Sequence, residues 1–174
     1  MSATPTVTLS NLPSVIGLPL GPSSWIEVDQ GRIDAFAEVT EDRQWIHIDV
    51  PRAVGSHFGG TIAHGYLTLA LLSAFIDEMF AVTGVRMAVN YGLNRVRFPA
   101  PVPAGARLRA RGRVASVTSV ENGTQAVIEV EVEAGGIGKP VCVAEMVVRG
   151  GIGKPVCVAE MVVRYLADVS PTDG

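Results

Sequence analysis

The sequence predicts an α+β domain in which a strongly curved antiparallel sheet wraps around one apolar helix. Three observations carry this. One long segment, residues 63–82, is apolar on nearly every helical face, so it is expected to be buried all round. From Val85 onward the pattern is that of strands, with apolar and charged residues alternating at the period of two that strands show. The strands are consecutive and lack intervening helices, which favours an antiparallel meander.

Taken in order, residues 25–28 read as a short strand. Over residues 30–40, Ile33, Phe36 and Ala37 fall at helical spacing with Asp34 and Glu38 turned outward, so a helix is expected there. The segment from Asp42 to His47 follows as a loop. Asp49 is a candidate N-cap for a short helix beginning Val50-Pro51, since its carboxylate can accept from the first free N–H groups. A glycine-containing loop, residues 55–60, leads to the long apolar helix. After it, the stretch Pro99-Ala-Pro-Val-Pro103-Ala-Gly105 marks a turn between strands.

The next hairpin gives a register argument. Arg107, Arg109, Arg111 and Arg113 alternate with Leu108, Ala110, Gly112 and Val114, while Glu129, Glu131 and Glu133 alternate with Ile128, Val130 and Val132. Opposed residues share a sheet face, so Arg should meet Glu. A two-residue Asn122-Gly123 turn would pair odd with even numbers and break that match. A three-residue loop, Glu121-Asn122-Gly123, pairs odd with odd and puts glycine at the left-handed position. The arginine stripe then reads as a solvated, salt-bridged face, with a coenzyme phosphate site as the alternative.

The chain of 174 residues is long enough for a single domain with a real core, residues 1–20 being expected to form a loosely ordered leader. Hydrophobic residues at 48% and charged ones at 18% exclude a disordered chain, and a net charge of −3 speaks against a nucleic-acid partner. The apolar run from Tyr66 to Ile76 is too short to span a bilayer and ends in Asp77-Glu78, so no membrane partner is expected and a cytoplasmic location is. Residues 135–149 and 150–164 are the same fifteen letters, GGIGKPVCVAEMVVR. Identity at every position points to a recent tandem duplication or an artefact. Cys142 and Cys157 are therefore copies of one strand residue, and neither is half of a disulfide or a metal pair. The two copies compete for one final position in the sheet. The first is slightly favoured because its connecting loop is shorter, against which the second leads directly into Tyr165 and Leu166, which could extend the strand and bury apolar surface worth a similar amount.

The candidate chemistry lies at Asp42 and His47, five residues apart, with His64-Gly65 at the start of the apolar helix. Each residue alone has a structural reading: Asp42 as a turn residue, His47 as a satisfied core histidine. Together they form an acid/base pair beside backbone N–H donors. Trp45 and Ile46 make the intervening loop apolar, so it should pack down and desolvate both groups, raising an aspartate pKa and lowering a histidine pKa toward neutrality. His64 reads as an alternative catalyst or an orienting residue. Ser73, eight residues after Gly65, either hydrogen-bonds into the site or bonds to the helix backbone. His47, His57 and His64 show no spacing of a helical metal pair, so neither a metal nor any other cofactor is expected.

The segment Phe36-Ala-Glu-Val-Thr-Glu-Asp42-Arg-Gln-Trp-Ile-His47-Ile-Asp49 resembles the hydratase motif of the MaoC-like dehydratases, the (R)-specific enoyl-CoA hydratases. Gly60-Thr-Ile-Ala-His-Gly65-Tyr-Leu resembles the start of that family's helix, and Asn94-Arg-Val-Arg-Phe-Pro-Ala-Pro-Val102 its following strand. The resemblance covers most of residues 25–165. It implies a hot-dog fold, a homodimer, and reversible hydration of a trans-2-enoyl thioester, on CoA or an acyl carrier protein, without a cofactor. It also implies that Asp42 and His47 are catalytic and that Gly65 supplies the oxyanion hole; His64 and Ser73 are expected at the substrate site from their places on the helix, not from the resemblance. The chain departs from many members in having Gln44-Trp45 where they have Asn-Pro, which bears on acyl-chain preference. A hot-dog thioesterase and a non-catalytic acyl-thioester-binding protein are the rival readings.

Overall fold

In the computed structural model, residues 4–121 and 123–151 are described. Strand β1 (Thr6–Thr8), a 3₁₀ helix (Leu9–Val15), β2 (Pro19–Leu20) and β3 (Ile26–Val28) lead to helix α1 (Gln30–Thr40) and the short helices α2 (Trp45–Ile48) and α3 (Val50–Val54). The long apolar segment forms α4 (Gly65–Ala70) and α5 (Leu72–Met79), after which come β4 (Ala81–Thr83), β5 (Ala88–Arg97), β6 (Ala106–Val120), β7 (Gly123–Ala134) and β8 (Cys142–Gly151). No helix among the described residues is long and apolar enough to cross a membrane.

The main sheet runs β2-β6-β7-β8-β5, with β3 also on the β6 edge, and every pairing in it is antiparallel. Strands β6 to β8 follow one another as a meander should. Strand β5 does not: it pairs with β8 rather than β6, so the proline-rich segment after it crosses to the far side of the sheet. The inner face carries Leu108, Ala110, Val114, Ile128, Val130, Val132, Cys142, Ala144 and Met146, all buried. Against it pack Leu67 of α4 and Leu72, Phe75, Ile76 and Met79 of α5. Each large side chain so buried contributes roughly 1.5–3 kcal/mol. Gly112 of β6 stands opposite Val130 of β7. A Cβ there would stand 2.5 Å from the Glu129 carbonyl oxygen, so only glycine fits.

The outer face carries the charges. Arg109 stands opposite Glu133, Arg111 opposite Glu131 and Arg113 opposite Glu129, the expected register. Arg109 is ion-paired with Glu133, and Arg113 with Glu129 at 2.6 Å. The expected three-residue loop is not how this register arises. Val120 is paired with Gly123, leaving two residues between them, and a bulge between Val114 and Ser116 inserts the residue that brings odd opposite odd. Asn122 itself lies outside the described residues.

Three further expectations are corrected. Residues 6–20 are built into the domain rather than loosely ordered. Strand β1 pairs with β4, β2 pairs with β6, and Leu12 and Leu20 are buried. Their apolar residues follow neither period, which hides them in the sequence. The central helix is divided at Leu71, the last residue before α5, and is not buried all round: Tyr66, Ala70, Ser73, Ala74 and Asp77 form an exposed stripe. The 42–47 segment is a loop only to Gln44, after which α2 begins. The first copy of the duplicated segment occupies β8, as expected, and from residue 152 the second copy, with Cys157, lies outside the described residues.

Candidate active site

Helix α1 sets the frame. Asp29 caps it by accepting from the Arg32 N–H at 2.8 Å, and Ile33 and Ala37 anchor it in the core. It ends at Thr40, and Glu41 takes a left-handed conformation, φ 60°, that turns the chain out of the helix and delivers Asp42 to the loop. The next turn, α2, presents His47 inward from a segment whose Trp45 and Ile46 are half-buried. Arg52 stacks on the Trp45 ring at 4.3 Å, and the Asp49 carboxylate caps α3 through the Arg52 N–H at 3.1 Å. The expected N-cap is present.

The segment 61–64 is stitched on both sides. Ile62 donates to the Ile46 carbonyl at 3.0 Å, Ala63 to that of Val102 at 2.8 Å, and Ala104 to that of Thr61 at 2.9 Å. Gln30 joins the same junction: its amide N–H donates to the His47 carbonyl at 2.8 Å, and its carbonyl accepts from the Thr61 hydroxyl. Sequence reasoning missed Gln30 and Thr61, which no local pattern distinguishes from solvated polar residues.

His47 is 6% exposed, and its Nδ1 lies 2.6 Å from the Ile62 carbonyl. A carbonyl only accepts, so Nδ1 carries the hydrogen and the neutral ring keeps its lone pair on Nε2. Burial pushes the His47 pKa below its usual 6.5, and the neighbouring His64 adds to this. The hydrogen bond to Ile62 and the Asp42 charge oppose that shift without reversing it. His64 is 2% exposed and occupies the N-cap position of α4. Its Nε2 donates to the main-chain carbonyl of Asp42 at 2.9 Å, while its Nδ1 is buried without a hydrogen-bond partner among the described residues.

Asp42, His47 and His64 thus come together from a loop, a helical turn and a helix start. One ligand-type atom of each lies within 4.8 Å of the others. Two histidines and a carboxylate are a donor set that divalent metals take. The two rings, however, stack at 3.7 Å between centroids and 27° between planes, and each already has one nitrogen committed to a backbone carbonyl. That arrangement suits proton handling better than ion coordination. Asp42 is exposed, so the expected desolvation applies to His47 and not to the aspartate. Gly65, the first residue of α4, has an N–H with no acceptor within the helix. Its Cα faces the ring of Phe98, and a Cβ there would meet that ring at 2.9 Å.

Ser73 is exposed, and its hydroxyl accepts from the Asn90 side chain at 3.0 Å, not from or to the helix backbone. Eight residues advance a helix by about 80° beyond two full turns, which places Ser73 off the face that Gly65 occupies. The structure does not join it to the three clustered residues. His57 is also exposed and meets the Phe58 ring at 3.8 Å in a tilted arrangement, apart from the cluster.

A family model described as a MaoC like domain matches residues 11–135. The chain is 48% identical over 143 residues to 3-hydroxyacyl-thioester dehydratase Z of Mycobacterium tuberculosis, covering 82% of this chain and 95% of that one. It is 53% identical over 107 residues to nodulation protein N of Rhizobium leguminosarum bv. viciae, covering 60% of this chain and 66% of that one. Among solved structures, the unliganded R-hydratase PhaJ1 of Pseudomonas aeruginosa superposes with a TM-score of 0.62 at 25% identity, covering 87% of this chain and 92% of that one.

Proposed function

Because the chain belongs to the MaoC-like domain family, we propose that it is a hydro-lyase, a 3-hydroxyacyl-thioester dehydratase or (R)-specific enoyl-CoA hydratase. It adds water reversibly to a trans-2-enoyl thioester to give the (3R)-3-hydroxyacyl thioester. The observation that carries this reading is the state of His47. Its Nδ1–H is committed to the Ile62 carbonyl, so the lone pair is on Nε2, and a nitrogen of the ring lies within 4.8 Å of an Asp42 carboxylate oxygen. A neutral, oriented base next to an acceptor is what activation of one water molecule requires.

The reaction runs as follows. The thioester carbonyl accepts a hydrogen bond from the Gly65 N–H, which stabilises the negative charge that develops as C3 is attacked. Asp42 accepts one hydrogen of the water and orients it. His47 Nε2 removes the other as the oxygen bonds to C3, and returns a proton to C2 on the same face. Hydroxyl and hydrogen are thereby added syn, and the histidine ends neutral. Dehydration is the same path in reverse.

The substrate is a thioester of CoA or of an acyl carrier protein. The working unit is a homodimer, a reading supported by β5, a sheet edge along which Tyr91 and Leu93 are exposed, flanked by exposed Met87 and Phe98 and by Tyr66, 54% exposed, on α4. Light scattering on the purified protein tests it, and an active monomer would contradict it.

The catalytic assignment is tested by loss of the enoyl absorbance of crotonyl-CoA. Asp42→Asn and His47→Ala should each lower kcat by roughly 100- to 10,000-fold, with the double variant barely worse than either single one. A His47→Ala enzyme with near wild-type turnover removes the assignment. Thiol release from a saturated acyl-CoA would indicate a thioesterase instead.

A further inference from the structure

A third side chain contacts both members of the Asp42–His47 pair. Asp42 lies on an exposed loop beyond the end of α1, where Glu41 has already left the helical conformation. The side-chain bond that reaches its backbone comes from His64 Nε2, at 2.9 Å. The same ring lies against His47 at 3.7 Å and against Phe36 of α1 at 5.0 Å. One residue therefore touches the helix before the site, the aspartate's backbone and the face of the other histidine, immediately ahead of Gly65.

Packing alone does not account for a histidine at this position. Leucine would fill a similar volume, whereas His64 buries Nδ1 with no hydrogen-bond partner among the described residues, a cost that leucine does not incur. The nitrogen that is satisfied is the one that holds Asp42. We propose that His64 is a positioning residue for the hydration reaction, fixing Asp42 through its backbone carbonyl and His47 through ring stacking. The reaction part of this rests on the hydratase reading above. The geometric part does not.

The test combines kinetics, melting and imidazole NMR. His64→Leu should melt at or above the wild-type temperature but lose roughly 10- to 100-fold in kcat, the penalty of a misplaced catalytic group, with KM changed less than about threefold. His64→Gln, whose amide N–H can reach the Asp42 carbonyl, should recover most of that loss. His64→Leu with wild-type kcat, or His64→Gln no better than His64→Leu, would overturn the proposal. In the wild-type protein, ¹⁵N spectra of the neutral rings should show the hydrogen on Nε2 of His64 and on Nδ1 of His47. A His64 hydrogen on Nδ1 overturns the proposal whatever the activity. A wild-type protein without hydratase activity but with these tautomers would sink the hydratase reading and leave the positioning geometry standing.

Discussion

Gly65→Ala separates the geometry of the helix start from the stability of the fold. The new Cβ would stand 2.9 Å from Phe98 Cδ2, 3.0 Å from Cε2 and 3.1 Å from Cγ, against 3.4–4 Å for an ordinary contact. Ring and helix start must therefore separate by about 0.5–1 Å. Phe98 is 41% exposed and meets Tyr66 edge-on at 6.2 Å, so part of the movement is taken up by the ring. Overpacking costs about 1–3 kcal/mol, here toward the low end, and alanine returns up to ~1 kcal/mol of helix preference. The net loss is about 0–1 kcal/mol, a fall in Tm of at most roughly 2–4 °C. Activity is more sensitive, because a donor misplaced by about 1 Å costs on the order of 100-fold. Crotonyl-CoA hydration by Gly65→Ala should thus fall about 10- to 100-fold in kcat while the protein stays folded. Gly65→Ala/Phe98→Ala, which removes the ring that forces the separation, should recover most of that rate. A single variant with wild-type kcat, or a double variant as slow as the single one, would refute this account of Gly65.

Four further outcomes follow from the same structure. Because burial holds the His47 pKa below its ordinary 6.5, kcat/KM should stay level down to about pH 6.5 and fall only below it; an acid limb centred above 7 would contradict a buried neutral base. The same shift has a stability consequence: His47 contributes fully above about pH 6.5, and the contribution is lost as pH falls toward its folded-state pKa, so the pH dependence of Tm below 6.5 should weaken in His47→Gln. Phe75→Ala, at a fully buried position between α5 and the sheet, should cost about 3–5 kcal/mol in chemical denaturation; a cost below 1 kcal/mol would mean that the core is misplaced. Deleting residues 150–164 should leave activity intact, because β8 takes all but its last two residues, 142–149, from the first copy. An inactive or unfolded deletion variant would show that the second copy is required.

The parts of this fold legible in the sequence are those with a strong period. Ile33 and Ala37 marked α1, and the alternation of arginine with Leu108, Ala110 and Val114 fixed which face of β6 is buried. The turn length was not legible, because a single bulged residue near Ser116 changes the register as much as a longer loop does. Nor was the exposed stripe of the central helix: Tyr66 and Ala70 look as apolar as Leu67 and Leu72, and only the surrounding topology decides which are covered. At the site, the Asp42–His47 pair was visible because both members lie within one short segment. His64 was placed beside the pair through the His64-Gly65 helix start, but the bond that joins it to Asp42 was not visible, since it closes across 22 residues through a backbone carbonyl that carries no sequence signal. The helical phase assigned to Ser73 was loose by nearly a quarter turn, and its hydroxyl is engaged by Asn90 instead.

The central claim is syn hydration governed by one neutral histidine on one face of the substrate. Incubating the enzyme with trans-crotonyl-CoA in deuterium oxide and determining the configuration of the product at C2 and C3 tests it most directly. The account predicts (3R)-3-hydroxybutyryl-CoA with the deuterium at C2 on the same face as the new hydroxyl. A (3S) product, anti addition, or release of free thiol without hydration would contradict it.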